Sequence, residues 1–330
     1  MHLGGPSTRH MNRDQPLFSI ITPTLNASAT VEDAVRSAQE QSVPHEHLVM
    51  DGGSGDPTLE ILSCFPHLTV HSGRDRGLYD AMNRGAFFAR GEWLVFLQAD
   101  DWLPSGALAA FQQAIEENPG ADMVTGSAEA VREIGEGLWE VQWSRSTESS
   151  KRLSVESIAL GEPMLNARAF RKSLFKKTGP FDLAYRLASD RDFLLKLASD
   201  PPPMALTPAL VYRYRWHEGS LTMNHGNTLS RQLTEENLAI AESHLARTTG
   251  ASRLVLRKWH SLQSIQSALC AMEAFDALWF FRSVARAIGV NPLWPATFSS
   301  AFARALGGYV SRGFETRSEV RRKRHGKSLD

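Results

Sequence analysis

Cysteine is almost absent from this chain. Cys64 and Cys270 are the two in 330 residues, and they lie far apart without CxxC or Cys/His spacing. That excludes a disulfide framework and a zinc site, and a reducing, cytoplasmic setting is expected. Excess charge of either sign is also lacking: 36 Lys and Arg balance 36 Asp and Glu, so nucleic acid is not an expected partner. Residues 1–15 have no signal-peptide core, and no apolar run of about eighteen residues occurs anywhere. Secretion and membrane spanning are therefore not expected. No internal repeat is present either. What remains is ordinary globular composition, 42% hydrophobic and 22% charged, which suffices for a sizeable core in one or two domains.

The charge balance is uneven at one place. Arg317, Arg321, Arg322, Lys323, Arg324 and Lys327 crowd the end of the chain beside Glu319 and Asp330. A solvated tail is the plain expectation, with an anionic membrane surface as the rival.

The first half alternates strand-like and helix-like segments. Leu17 to Ile21 reads as a buried strand stopped by Thr22-Pro23-Thr24-Leu25-Asn26. Thr30 and Asp33 then resemble a capping box ahead of Val31, Ala34, Val35 and Ala38 at helical spacing. A second strand, His47 to Met50, runs into Asp51-Gly52-Gly53-Ser54, and a short helix with Leu59, Ile61 and Leu62 follows. Further strands are expected at Leu68 to Val70 and Trp93 to Leu97, with a helix from about Leu78 to Arg90 between them. This spacing predicts a mainly parallel, doubly wound sheet. In such sheets ligands bind outside the carboxyl ends of the strands. Thr22 to Thr24, Asp51, Arg74 to Arg76 and Asp100-Asp101 all follow strands.

Later segments differ. Leu138 to Trp143 and Ala209 to Trp216 alternate like strands with one wet face. Ser189 to Leu197 reads as a helix with an acidic first turn, ended before Pro201-Pro202-Pro203. From about Leu233 to Ile288 the pattern is helical, with Met272, Phe275, Leu278 and Trp279 expected on one face.

Four ordered stretches carry a resemblance: Phe18 to Asn26, Met50 to Ser54, Asp75 to Gly85, and Gly91 to Asp101. They look like the motifs of family 2 glycosyltransferases over about residues 17 to 220. The resemblance implies an A-type glycosyltransferase fold, a mainly parallel Rossmann-like sheet flanked by helices, here with a helical C-terminal extension. The expected organisation is a flexible tail at 1–15, the glycosyltransferase domain at 16–225, a helical region at 226–315 and the basic tail at 316–330.

The adjacent carboxylates of Asp100 and Asp101 suit a hard divalent cation, Mn²⁺ or Mg²⁺, that shares oxygen ligands with phosphates. The family usually has an acid where Gln98 stands. By resemblance Asp101 is the first-choice metal ligand, with Asp100 nearer the ribose or also touching the metal. His217 is a candidate third ligand, since imidazole suits Mn²⁺. Asp51 resembles an aspartate that accepts from a uracil ring N–H, with Pro23 and Thr24 lining the same pocket; an Asx turn before Gly52-Gly53 is the plainer reading, and both can hold at once. Arg76 could pair with a diphosphate, and Asp80 or Asn83 with ribose or sugar hydroxyls. Arg213 or Arg215, on one strand face, could meet the diphosphate instead. Asp190 resembles the general base at a helix start, where the N-terminus favours its ionised form, and Asp192 competes with it.

The expected activity is inverting transfer of a sugar from a nucleotide-sugar, a UDP-sugar among the candidates, to a hydroxyl of a saccharide or lipid-linked glycan. A sugar nucleotidyltransferase is the enzymatic rival, though Thr22 to Ala27 is not its Gly-rich basic phosphate loop. A catalytically silent nucleotide- or glycan-binding subunit is the rival of another class. Leu278-Trp279-Phe280-Phe281-Arg282 and Leu293-Trp294-Pro295 combine aromatics with a cation, as peripheral membrane segments do. With a lipid-linked acceptor, peripheral contact at the cytoplasmic membrane face is the matching expectation, against simple packing of these helices.

Overall fold

The computed structural model describes residues 16–135, 137–147, 153–161, 163–217 and 227–291. The N-terminal tail, Glu218 to Ser220, Leu293 to Pro295 and the basic residues from Arg317 to Lys327 lie outside the described residues. The chain divides into two compact units, Met1–Asn224 and His225–Asp330.

The first unit opens with β1 (Phe18–Thr24), α1 (Val31–Gln39), β2 (His45–Asp51), α2 (Thr58–Ser63), β3 (Leu68–Ser72), α3 (Leu78–Phe88) and β4 (Trp93–Phe96). All seven residues of β1 are buried, as a strand covered on both faces requires. In α1 the 3.6-residue spacing of Val31, Ala34, Val35 and Ala38 buries all four against the sheet. The expected capping box does not form. Thr30 makes no side-chain cap bond, and the short Asp33 carboxylate instead meets Arg215 at 2.5 Å.

The next elements are α4 (Ala107–Glu117), β5 (Met123–Gly135), β6 (Leu138–Arg145), α5 (Val155–Ala159), β7 (Arg168–Arg171), α6 (Lys172–Thr178), α7 (Ser189–Ser199) and β8 (Met204–Trp216). They complete an eight-stranded sheet in the order β3-β2-β1-β4-β7-β5-β6, with β8 pairing β5. The β3-β2-β1-β4 half is wholly parallel. β7 enters antiparallel between β4 and β5, and β5 pairs β6 antiparallel but β8 parallel. The sheet is thus mostly parallel, with the antiparallel strands inserted after β4.

The core is a layer of Phe18, Ile20, Trp93, Val95, Phe111, Val124, Val211 and Tyr212 under the sheet. On another side Phe96, Phe170, Phe175, Phe181 and Phe193 form one aromatic cluster, with ring centroids 5.0–6.3 Å apart. Edge-to-face and tilted contacts at these distances favour rigid packing. This cluster seats α6, α7 and the 179–188 loop on β4 and β7.

The second unit contains α8 (Asn227–Leu245), α9 (Gly250–Glu273) and α10 (Ala277–Val290). Its helical pattern is therefore three helices. Met272, Phe275, Leu278 and Trp279 do not share a face: Phe275 turns the chain between α9 and α10 at φ 53°, and Trp279 is buried while Leu278 is exposed. Among the described residues no helix is long and apolar enough to cross a membrane.

Candidate functional site

The chain leaves β4 through Leu97 and turns at Gln98 to Asp101, where the Asp101 N–H donates to the Gln98 carbonyl. The two carboxylates of this turn meet different surroundings. Asp101 is 4% exposed. Its Oδ2 accepts from the Tyr212 hydroxyl at 2.7 Å, and its Oδ1 from the Arg215 backbone N–H at 2.9 Å. Burial, with the Asp100 charge beside it, pushes its carboxyl well above the usual range, against the opposing pull of Tyr212 and Arg215. Asp100 points outward instead. Its side chain is 37% exposed, and Oδ2 lies 3.0 Å from Nε2 of the equally exposed His217.

Strand β8 holds this turn. Tyr212 donates to Asp101 and accepts from the Gln98 N–H at 3.1 Å. Arg213 bridges to Glu129 at 2.6 Å. The Arg215 Nε donates to the Asp100 carbonyl at 2.9 Å, while its guanidinium sits over the Trp102 and Trp139 rings. Both arginines expected near a diphosphate are thus engaged with the protein.

Among the described residues no group of three or more His, Cys, Asp or Glu is arranged to hold a metal. The Asp100–His217 pair nevertheless fits two neighbouring positions of one. Adjacent ligands of an octahedral ion at about 2.1 Å lie roughly 3.0 Å apart, which is the observed Nε2 to Oδ2 separation. Oxygen and imidazole donors suit Mn²⁺ or Mg²⁺, with phosphate and water for the other positions. Asp101 fits less well, because each of its oxygens already accepts a bond inside the protein.

Asp51 ends β2 and is fully buried. Oδ1 accepts from the Ser54 hydroxyl at 2.5 Å, and Oδ2 from Ser72 Oγ at 2.6 Å and the Gly53 N–H at 3.1 Å. These donors hold its carboxyl below the usual range although burial opposes them. The geometry is the Asx turn, closed by φ 91° at Gly53. Pro23 and Thr24 lie beside it on β1, opposite Met50 and Asp51. Thr24 Oγ1 is buried without a hydrogen-bond partner among the described residues.

Arg76 is exposed, and both its backbone N–H and its guanidinium meet Asp80, at 3.1 and 3.3 Å. Asn83 is committed elsewhere. Its Nδ2 donates to the Phe181 carbonyl at 2.9 Å, and its Oδ1 accepts from the Phe181 N–H at 2.8 Å, so it clamps the 179–188 loop to α3.

Asp190 is the second residue of α7 and is half-buried. Oδ1 accepts from Tyr79 Oη at 3.0 Å and from the Arg191 N–H at 2.7 Å. Burial raises its carboxyl above the usual range, opposed by the Arg191 charge and these bonds. Asp192 is 3% exposed and paired with Lys196 at 2.7 Å.

Three residues that organise the site escaped the sequence: Tyr212, Tyr79 and Asp33. The alternation from Ala209 to Trp216 did put Tyr212 opposite the arginines, which was the available signal. Nothing local told that Tyr79 or Asp33 would meet partners over a hundred residues away.

With this geometry, similarity to known proteins becomes informative. The family model for glycosyl transferase family 2 matches residues 19–179. A PGL/p-HBAD biosynthesis glycosyltransferase of Mycobacterium bovis is 34% identical over 249 residues, 73% of this chain and 88% of that protein. An uncharacterized glycosyltransferase of Haemophilus influenzae is 29% identical over 202 residues, 59% of this chain and 67% of that protein. Among solved structures, S. aureus TarS 1–349 in complex with UDP-GlcNAc superposes with TM-score 0.54 at 17% identity, covering 86% of this chain and 91% of that one. The mannosyltransferase PcManGT from Pyrobaculum calidifontis, in complex with GDP-Man and Mn²⁺, gives 0.52 at 20% identity, covering 88% and 81%. At such identities the structures share the fold, the A-type glycosyltransferase arrangement of a mostly parallel sheet with flanking helices. The chain belongs to glycosyltransferase family 2 and is a transferase of that family.

Proposed function

We propose that the protein transfers a sugar, with inversion, from a nucleoside-diphosphate sugar to a hydroxyl of a saccharide or lipid-linked glycan. The observation that carries this is the outward Asp100–His217 pair at the carboxyl end of β4, where ligands of parallel sheets bind. In this role Asp100 and His217 hold a divalent cation, Mn²⁺ or Mg²⁺, and Asp101 anchors the turn beneath them. When bound, such a cation would neutralise charge on the departing diphosphate. Arg76, just ahead of α3, and Asp80 in its first turn meet the donor. Thr24, whose buried hydroxyl has no partner among the described residues, and Pro23 line the nucleoside side; Asp51 shapes that wall, its carboxylate already filled. Solved relatives of the fold hold UDP-GlcNAc and GDP-Man, so uridine and guanosine donors are both carried forward.

Asp190 serves as general base. It lies at a helix start, and burial makes it more basic than a free carboxylate, as proton abstraction from a hydroxyl requires. Against Asp192 in this role stand its burial and its pairing with Lys196. The C-terminal membrane contact has a candidate surface on α10, where Leu278, Phe281 and Ile288 are exposed. Co-sedimentation with anionic vesicles, lost on F281E, tests it.

The direct test is Asp190→Asn, assayed for donor binding by calorimetry and for transfer with a panel of nucleotide-sugars. Donor binding is expected to persist while transfer falls by about two orders of magnitude or more. Transfer at the wild-type rate would remove Asp190 from the mechanism.

A further inference from the structure

The hydroxyl of Tyr79 lies between two acceptors, Asp190 Oδ1 at 3.0 Å and the Leu187 carbonyl at 3.2 Å. Tyr79 is buried, the second residue of α3, and its ring packs on Phe181 at 5.4 Å. A phenol has one proton to give. A carbonyl cannot donate, so that proton serves the carboxylate or the carbonyl, one at a time. An anionic acceptor draws the stronger bond.

We propose that Tyr79 is a positioning residue for the base: with the Arg191 N–H it pins Oδ1 of Asp190 and leaves Oδ2 to take the acceptor's proton. This rests on Asp190 being the base. The Tyr79 and Arg191 bonds reach the same oxygen, with the Asp190 N–H also acting on the carboxylate, which fixes the rotation of the group and sets Oδ1 apart from Oδ2. In the transfer step the acceptor O–H breaks and its proton goes to Oδ2. The freed electron pair forms the bond to the anomeric carbon, and the diphosphate leaves with the pair of the broken C–O bond. Tyr79 loses no proton. Once Asp190 is neutral its pull weakens, and the Tyr79 proton can turn to the Leu187 carbonyl, so one hydroxyl serves both charge states. The ionisable groups acting on Asp190 are Arg191 on its own helix and Tyr79 from α3. Arg191 is itself tied to the Ile158 and Gly161 carbonyls at 2.6 and 3.1 Å.

Tyr79→Phe keeps the ring and removes only the hydroxyl. The donor KM and nucleoside-diphosphate affinity should stay within about twofold of wild type, while kcat falls about tenfold. Loss of a donor to the charged carboxylate favours its protonated form, so the acidic limb of the kcat–pH profile should move to higher pH. A wild-type kcat, or a reduced kcat with the acidic limb unmoved, overturns the assignment. As a second measurement, Tyr79→Phe added to Asp190→Asn should lower the residual rate no further; a full additional loss overturns it. If Asp190→Asn is inactive while Tyr79→Phe is normal, only the Tyr79 assignment falls. If Asp190→Asn is fully active, the base itself is misassigned.

Discussion

Replacing Asp101 by alanine should damage the fold, whereas replacing its neighbour Asp100 should damage ligand binding. Asp101 takes bonds from Tyr212, which is fully buried, and from the Arg215 N–H. Alanine strands both donors, and each unsatisfied buried group costs about 1–3 kcal/mol. Relief from burying a charge beside Asp100 returns part of this, so a net loss of about 2–4 kcal/mol is expected for Asp101→Ala. Asp100→Ala removes one half-exposed contact with His217, worth less than about 1 kcal/mol. Urea denaturation measures the first difference. Calorimetric titration of a nucleoside diphosphate with and without Mn²⁺ measures the second, where Asp100→Ala should abolish the metal-dependent gain in affinity. The reasoning is refuted if Asp101→Ala keeps wild-type stability but loses the Mn²⁺ response while Asp100→Ala retains it.

Asn83→Ala should lower stability by about 1–3 kcal/mol without altering donor affinity, because it frees the Phe181 backbone that it clamps from both sides. A donor-specific defect in steady-state kinetics would contradict this. Burial pushes the His47 imidazole from 6.5 down to about 3, so it folds neutral while the unfolded chain takes up a proton. Its contribution is therefore complete above pH 6.5 and is lost toward pH 3, at about 1.4 kcal/mol per pH unit. His47→Gln should flatten the fall in unfolding free energy, measured by urea denaturation, between about pH 6 and 4 by that slope; an unchanged slope would show that other groups govern it. At Gly91 an added Cβ would come within 2.6 Å of the Ser19 backbone nitrogen, and backbone cannot give way as a side chain does. Gly91→Ala should cost about 1–3 kcal/mol, and a thermal midpoint within a degree or so of wild type would count against that close approach.

Much of the first unit was legible because its code is local. Apolar runs bounded by turn residues located β1, β2 and β4, and the rule that ligands gather at carboxyl strand ends selected Asp51 and Asp100-Asp101. Family membership then displaced the nucleotidyltransferase alternative. What stayed hidden depends on distant partners. Asp100 and Asp101 are indistinguishable by type; their different surroundings follow from Tyr212 and Arg215, brought in by β8. Asp33 looked like a cap because its spacing is right, yet a long-range arginine competes for it. β5 was missed because its first half is buried on both faces and its last four residues are exposed, so no single period describes it. Phe275 continued a helical pattern in sequence, but its backbone turns to positive φ, which no periodicity reports.

The pairing of β8 with β5 has two irregularities: β8 advances from Leu206 to Leu210 while β5 advances only from Thr125 to Ser127, and then from Leu210 to Tyr212 while β5 moves one residue to Ala128. Side chains alternate faces along a strand, so the offset absorbed there decides that Tyr212, rather than Arg213, reaches Asp101. A single-residue deletion between Thr207 and Val211 would exchange the two sets, sending the arginines under the turn and the tyrosines away from it. Length changes in relatives should therefore collect at the β5–β6 tip near Gly137 and be rare in these five positions, however freely the residues there are exchanged.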